Sequence, residues 1–216
     1  MDLTIETLQN LRQDYRSAEL TEQEVDVNPI AQFTLWFTEA MTAKLYEPNV
    51  MTLATADKTG KPSARIVLLK GFNEHGFRFY TNYNSQKGLE LAENPHAALV
   101  FFWAELERQV RIEGSVAKVD PQISDQYFHS RPVGSQIGAL ASPQSSIIDN
   151  RDLLEIKVNE LTEQFENKEI PRPEHWGGYV VKPTLIEFWQ GRSSRLHDRI
   201  QYQLVDGNWM INRLAP

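Results

Sequence analysis

The hydrophobic pattern changes period at Val50, and that change bounds the fold. Ahead of it, Ile30, Phe33, Trp36, Phe37, Ala40 and Met41 recur at helical spacing. They follow Asn28-Pro29, a capping residue and then a proline that a first helical turn tolerates. Beyond it the alternation approaches two. Residues 50–56, 64–71, 77–81, 97–103 and 110–119 read as strands, separated by turn signals at Asp57 to Gly60, Asn73 to Gly76 and Asn94-Pro95. Short strands at such close spacing pair with antiparallel neighbours, which predicts an antiparallel sheet or barrel.

Helices punctuate and follow these strands. Residues 85–93 read as a short helix, and Asp120-Pro121 opens another that runs to about Ser130 and ends at Arg131-Pro132. The stretch 133–146, rich in Gly, Ser, Ala and Gln, reads as a loop with a short helical turn. Leu153, Leu154, Ile156, Leu161 and Phe165 give 150–166 an amphipathic helical pattern. A Pro-rich connection then leads through Trp176-Gly177-Gly178-Tyr179 to strands at 185–189, 201–205 and 209–214. At the other end, Ile5, Leu8, Leu11 and Tyr15 fall on one side of a helix over 2–18. The expected fold class is mainly β with surrounding helices (α+β). It divides into an N-terminal helix and mobile segment, 1–27, and one main domain, 28–216.

Composition removes several chemistries. Without cysteine there are no disulfides, thiolate ligands or cysteine nucleophiles. The five histidines, His75, His96, His129, His175 and His197, show no zinc-ligand spacing, so no metal is expected. No P-loop, G-x-G-x-x-G or G-x-S-x-G elbow is present. A net charge of −7 disfavours nucleic acid and acidic membranes. The longest apolar run is far short of a membrane span, and Met1-Asp2-Leu3-Thr4-Ile5-Glu6 lacks a signal peptide's basic start, so a cytoplasmic protein is expected.

Basic and hydroxyl residues at element ends are what remains. Arg65 and Lys70 bracket one strand, Tyr80-Thr81 ends the next, and Ser85-Gln86-Lys87 opens a helix, a natural place for a phosphate. Arg131, Ser135 and Gln144-Ser145 flank the 133–146 stretch, and Arg195, His197 and Arg199 lie between two C-terminal strands. Singly, none is specific, because one cation in a chain with 29 acidic residues is more often a solvated surface charge.

Their order and local sequence are more telling. Arg-Ile-Val-Leu-Leu-Lys (65–70), Phe-Tyr-Thr-Asn (79–82), Ser-x-Lys (85–87) and Gln-Val-Arg-Ile-Glu-Gly (109–114) occur in that order. They are followed by Tyr-Phe-x-Ser-Arg-Pro (127–132), Gly-Ala-x-Ala-Ser-x-Gln-Ser (138–145), Glu-x-Trp-Gln-Gly-Arg (187–192) and Arg-Leu-His-Asp-Arg (195–199), and the chain closes on Trp-x-Ile-x-Arg-Leu-Ala-Pro. Over residues 10–216 the sequence resembles the pyridoxamine/pyridoxine 5′-phosphate oxidase family. The resemblance implies that 28–216 is an FMN-binding split β-barrel domain with a C-terminal dimerisation region, and a homodimer with FMN at the subunit interface. It also implies oxidation of pyridoxamine or pyridoxine 5′-phosphate by O2 to pyridoxal 5′-phosphate and H2O2.

The same resemblance assigns roles. Arg65, Lys87 and Ser145 hold the FMN phosphate with Thr81 and Gln144 nearby. Ile66, Val67, Leu68, Leu69, Lys70, Tyr80 and Gln86 complete the cofactor segments. Gln109 and Trp189 contact the flavin or its sugar chain, and Arg199 the flavin ring. Lys70, Tyr127, Arg131 and Ser135 grip the substrate phosphate. Arg195 and His197 are the catalytic pair over the pyridine ring, with Leu196 between them, and Arg12, Gln13, Asp14 and Tyr15 resemble a flap over the site.

Two features depart from a simple picture. Strict strand alternation puts Arg65 and Lys70 on opposite faces, and Gln86 stands where family members commonly carry Arg. Two other readings stay open: a split-barrel flavoprotein such as a flavin reductase, and a non-catalytic FMN or pyridoxal phosphate carrier.

Overall fold

The computed structural model describes residues 5–11 and 14–216. Helix α1 (Ile5–Asn10) precedes α2 (Pro29–Thr42), and four strands follow: β1 (Val50–Ala56), β2 (Pro62–Leu68), β3 (Gly71–Asn73) and β4 (Gly76–Asn82). Next come α3 (Gln86–Glu93), β5 (His96–Trp103), β6 (Arg108–Lys118), α4 (Pro121–Ser130), α5 (Val133–Ala141) and α6 (Asp152–Gln164). The chain closes with β7 (Trp176–Gln190), β8 (Asp198–Val205) and β9 (Asn208–Arg213). Among the described residues nine strands form one sheet in the order β2-β1-β5-β6-β7-β4-β3, with β8 beside β7 and β9 beside β8. The expected class, antiparallel β with surrounding helices, is what forms. No helix among the described residues is long and apolar enough to cross a membrane.

The chain divides into two compact units. The first holds the described residues up to Pro48 with Val100–Ile112 and Leu185–Pro216; the second holds Asn49–Leu99 and Glu113–Thr184.

In the first unit, α2 begins where Asn28 Oδ1 accepts the Ile30 and Ala31 N–H groups and Pro29 occupies the first turn. Its buried stripe packs aromatic on aromatic. Phe33 meets Phe101 edge-on at 5.2 Å, and Trp36 meets Phe188 at 5.2 Å. Phe188 in turn meets Tyr202 at 5.6 Å, whose hydroxyl donates to the Asp26 carbonyl. Burying each such ring is worth on the order of 1.5–3 kcal/mol. The β7–β8 register pairs Trp189 with Arg199 and Phe188 with Ile200, so one face is core and the other carries polar groups.

In the second unit, β1 and β2 pair Leu53 with Arg65 and Thr55 with Ser63. Residues directly opposite share a face, so Arg65 projects on the side of Met51 and Leu53 and is largely sheltered, while Ile66 on the other face is exposed. Helices α4 to α6 enclose a core of Phe128, Ile137, Ala141, Leu161, Ile170 and Trp176.

Several sequence expectations change here. The helix expected over 2–18 is only Ile5–Asn10 among the described residues. Instead of a loop, 133–141 forms α5, because Ile137 and Ala141 fall on one helical face and bury against Phe128 and Trp176; tertiary packing overrides two weak glycines. Strand β7 begins at Trp176, nine residues before the expected start, because 176–181 pairs with β4. Strand β8 begins at Asp198, which places Asp198 and Arg199 within it. The short β3 carried no recognisable pattern.

Candidate active site

A cavity of about 850 Å³ opens in the second unit, within the roughly 300–1,000 Å³ usual for small-molecule sites. Its wall brings together Arg65, Ile66, Val67, Leu68, Lys70, Tyr80, Thr81, Lys87, Tyr127, Arg131, Ser135, Gln144 and Ser145. The alternation problem with Arg65 and Lys70 dissolves, because β2 ends at Leu68. Leu69 is buried, and Lys70 N–H bonds to the Arg78 carbonyl, so strand periodicity does not govern where Lys70 points.

Lys87 is the most informative residue in this wall. It is buried, and among the described residues its ammonium hydrogen-bonds only neutral acceptors: Thr81 Oγ1 at 3.3 Å, Ser85 Oγ at 3.2 Å and Gln144 Oε1 at 3.3 Å. Burial pushes its pKa below the ordinary lysine value, the Arg65 charge adds to this, and Glu90 opposes it. Arg65 is instead tethered to Glu90 at 3.3 Å, with further bonds to Thr55 and Ser63. Burial raises the Glu90 carboxyl, but hydrogen bonds from Ser63, Thr55 and Gln86 and the Arg65 charge outweigh it, so Glu90 lies below the usual range and stays ionised. Gln86 therefore serves Glu90, at 2.9 Å, and does not line the cavity.

An aromatic stack forms a second wall. Tyr80 and Tyr127 lie 4.0 Å apart, Trp176 is 5.5 Å from Tyr80, and the Arg131 guanidinium sits 4.6 Å above Trp176. Arg131 ends α4 in extended geometry because Pro132 follows it. Its Nη1 is buried without a hydrogen-bond partner among the described residues, an uncommon and costly state that a bound anion would relieve. Burial raises the Tyr127 phenol against the pull of Arg131, so Tyr127 remains a hydroxyl donor at neutral pH. Ser135 lies in the first turn of α5, whose amide end also favours negative charge. A buried cation with neutral partners, an orphaned guanidinium nitrogen and several hydroxyl donors suit phosphate oxygens.

The first unit carries a separate cluster. Trp189 and His197 lie 4.6 Å apart, and Tyr15 approaches both, at 5.8 and 6.0 Å. Gly191 makes room for Tyr15: a Cβ there would stand 2.8 Å from the tyrosine's own Cβ. The Arg192 N–H donates to His197 Nδ1 at 3.1 Å, which assigns the neutral ring's proton to Nε2. Arg195 is exposed and adopts φ 62°, following Ser194 at φ 56°. Arg199 forms a two-pronged pair with buried Glu187, at 2.8 and 3.1 Å, and Arg111 approaches the same carboxylate at 3.4 Å.

Of the other expected residues, Gln109 lies on β6, Leu196 is exposed beside His197, and Asp14 pairs with Arg16. Arg12 and Gln13 lie outside the described residues. Sequence reasoning missed Trp176, Pro132, Gly138 and Ser142 in the cavity wall, together with Glu90 and Glu187, which hold Arg65 and Arg199. Only the helical spacing of Lys87 and Glu90, three apart, hinted at any of these. Among the described residues no three His, Asp or Glu side chains are placed to hold a metal.

Residues 37–165 match the family model described as pyridoxamine 5′-phosphate oxidase, and 176–216 match the model for the pyridoxine 5′-phosphate oxidase C-terminal dimerisation region. The chain is 60% identical over 211 residues to a pyridoxine/pyridoxamine 5′-phosphate oxidase of Trichormus variabilis, covering 97% of this chain and 99% of that one. An oxidase of the same name from Acaryochloris marina is 57% identical over 216 residues, covering 100% and 99%. Among solved structures, PhzG from Burkholderia lata in complex with tetrahydrophenazine-1-carboxylic acid superposes with a TM-score of 0.87 at 29% identity, covering 93% of this chain and 100% of that one. A pyridoxamine 5′-phosphate oxidase-related, FMN-binding protein of Nostoc punctiforme shares the fold, with a TM-score of 0.69 at 16% identity over 89% and 100% of the two chains.

Proposed function

The chain belongs to the pyridoxamine 5′-phosphate oxidase family, and from that premise we propose that it is an FMN-dependent oxidase converting pyridoxamine and pyridoxine 5′-phosphates to pyridoxal 5′-phosphate. The observation that carries the reading is the pairing of two unspent cations in one cavity wall, Lys87 with only neutral hydrogen-bond partners and Arg131 with an orphaned Nη1. Two phosphates, one of the cofactor and one of the substrate, would satisfy them.

In this reading Lys87, Arg65, Thr81, Gln144 and Ser145 hold the FMN phosphate. Ile66 to Lys70 and Tyr80 contribute backbone and walls, and Gln86 acts through Glu90. Gln109, Trp189 and Arg199 serve the flavin and its chain. The protein is a homodimer with FMN at the subunit interface, consistent with the dimerisation region matched at 176–216. When bound, FMN would supply the two-electron redox chemistry, with O2 as final acceptor reduced to H2O2; for the amine substrate, water is taken up and the nitrogen leaves as ammonia.

The protein's part is positioning and charge placement. Lys70, Tyr127, Arg131 and Ser135 grip the substrate phosphate by charge-assisted bonds, which fixes the distance from phosphate to ring. Arg195 and His197 hold the pyridine ring, with Leu196 alongside, and Tyr15 covers it. His197, accepting at Nδ1, presents Nε2–H as a donor. With its phosphate grip lost, the substrate loses its register. The FMN-loaded protein should therefore turn over pyridoxamine 5′-phosphate and leave unphosphorylated pyridoxamine nearly untouched; equal turnover of the two would contradict the reading.

A further inference from the structure

Resting on the function proposed above, we infer that Asp198 and Glu107 are positioning residues, two carboxylates that clamp residues 15–20 as a strap against Trp189, Gly191 and His197.

The clamp has two ends. At one, Glu107 Oε2 accepts the backbone N–H groups of Arg16 and Ser17, both at 2.9 Å. The Glu107 carbonyl accepts from Gly191 N–H at 2.7 Å, so the same residue holds the strap and the strand end beneath it. At the other, Asp198 Oδ2 accepts Leu20 N–H at 3.1 Å and Arg192 Nη1 at 3.1 Å, while Oδ1 accepts Arg213 Nη1 at 2.8 Å. Arg192 and Arg213 continue to Glu19 at 2.7 Å and Glu22 at 2.6 Å, and Arg213 also donates to the Leu20 carbonyl. Five alternating charges thus run Glu19, Arg192, Asp198, Arg213, Glu22. Linked pairs of this kind hold geometry better than isolated surface pairs.

Tyr15 enters the strap just before this clamp, and His197 immediately precedes Asp198. Arg192, whose side chain bonds Asp198, is also the residue whose N–H fixes His197 Nδ1. One carboxylate therefore sets both the strap and the ring it covers. The loop between holds Ser194 and Arg195 at positive φ, with a backbone bond from Leu196 N–H to the Ser193 carbonyl at 3.1 Å.

The test uses the FMN-loaded protein with Asp198→Asn and Glu107→Gln, both of which keep shape and lose charge. Either change should raise the KM for pyridoxamine 5′-phosphate about tenfold, the size of one lost charge-assisted bond. The kcat should stay within about threefold in Glu107→Gln, which acts on the strap alone, and FMN affinity within about twofold in both variants. Amide hydrogen exchange over residues 14–22 should accelerate in both variants, and the His197 imidazole 15N shifts should move in Asp198→Asn. Unchanged exchange, an unchanged KM, or a KM that rises in step with FMN loss would each overturn the assignment. Should the wild type fail to oxidise the substrate, the functional reading falls, and exchange with the His197 shifts still decides the clamp.

Discussion

Lys87 Nζ lies 3.3 Å from Gln144 Oε1, a contact that joins the first turn of α3 to the loop after α5 across 57 residues of chain. The contact is neutral on one side and charged on the other, so it orients the ammonium without discharging it. Lys87→Met keeps the stem and removes the charge. FMN affinity should fall about 10- to 100-fold, the loss of one charge-assisted bond to a dianion, read by quenching of flavin fluorescence on titration. The FMN-free variant should melt at a higher temperature than the FMN-free wild type, because a buried charge lacking an ionic partner is gone.

The same residue sets a pH dependence. Burial, with Arg65, holds the Lys87 pKa in the folded protein below its ordinary 10.5. The unfolded chain then binds that proton more tightly, so the charge costs native stability at neutral pH. The cost fades as pH rises towards 10.5, and stability from this group rises with pH. Thermal melts of FMN-free protein between about pH 7 and 10 should show this rising contribution in the wild type and its loss in Lys87→Met.

Gly138 sits inside α5, lines the cavity, and has nothing within 4 Å of an added Cβ. Gly138→Ala should stabilise the helix by about 1 kcal/mol, a rise in Tm of about 2–4 °C. The methyl would occupy ligand space, so affinity for the phosphorylated substrate should fall. Calorimetry and a KM measurement on the same variant check the two halves.

These cases locate what was legible in the sequence. The change of period at Val50 and the caps at Asn28, Ser85 and Asp120 are local signals, and the elements they open stand where expected. Helix α5 and the early start of β7 were hidden because Ile137 and Trp176 gain their stability from distant partners, and local composition there reads as loop. The candidate site residues were readable through ordered motifs, and 13 of them, four of these cations, share one cavity wall. Glu187 was not readable, and Glu90 only through its helical spacing from Lys87, since a carboxylate that orients an arginine of another element has no sequence spacing to that arginine.

Arg213 holds the Glu22 carboxyl far down, from 4.5 to about 2. A carboxylate depressed on folding contributes stability that is present above its unfolded pKa and is lost as pH falls through the folded one. Acid denaturation of the wild type should therefore include a component between pH 4.5 and about 2 that Glu22→Gln lacks. The difference should be small and should shrink in high salt, because the pair is partly exposed.

The most direct test loads the purified protein with FMN, adds pyridoxamine 5′-phosphate in air, and follows pyridoxal 5′-phosphate and H2O2 together. Equimolar appearance of the two, abolished by removing FMN and strongly reduced in Arg131→Ala, is the expected result. A protein that binds FMN yet forms neither product, or forms pyridoxal 5′-phosphate at an equal rate without FMN, would contradict the account.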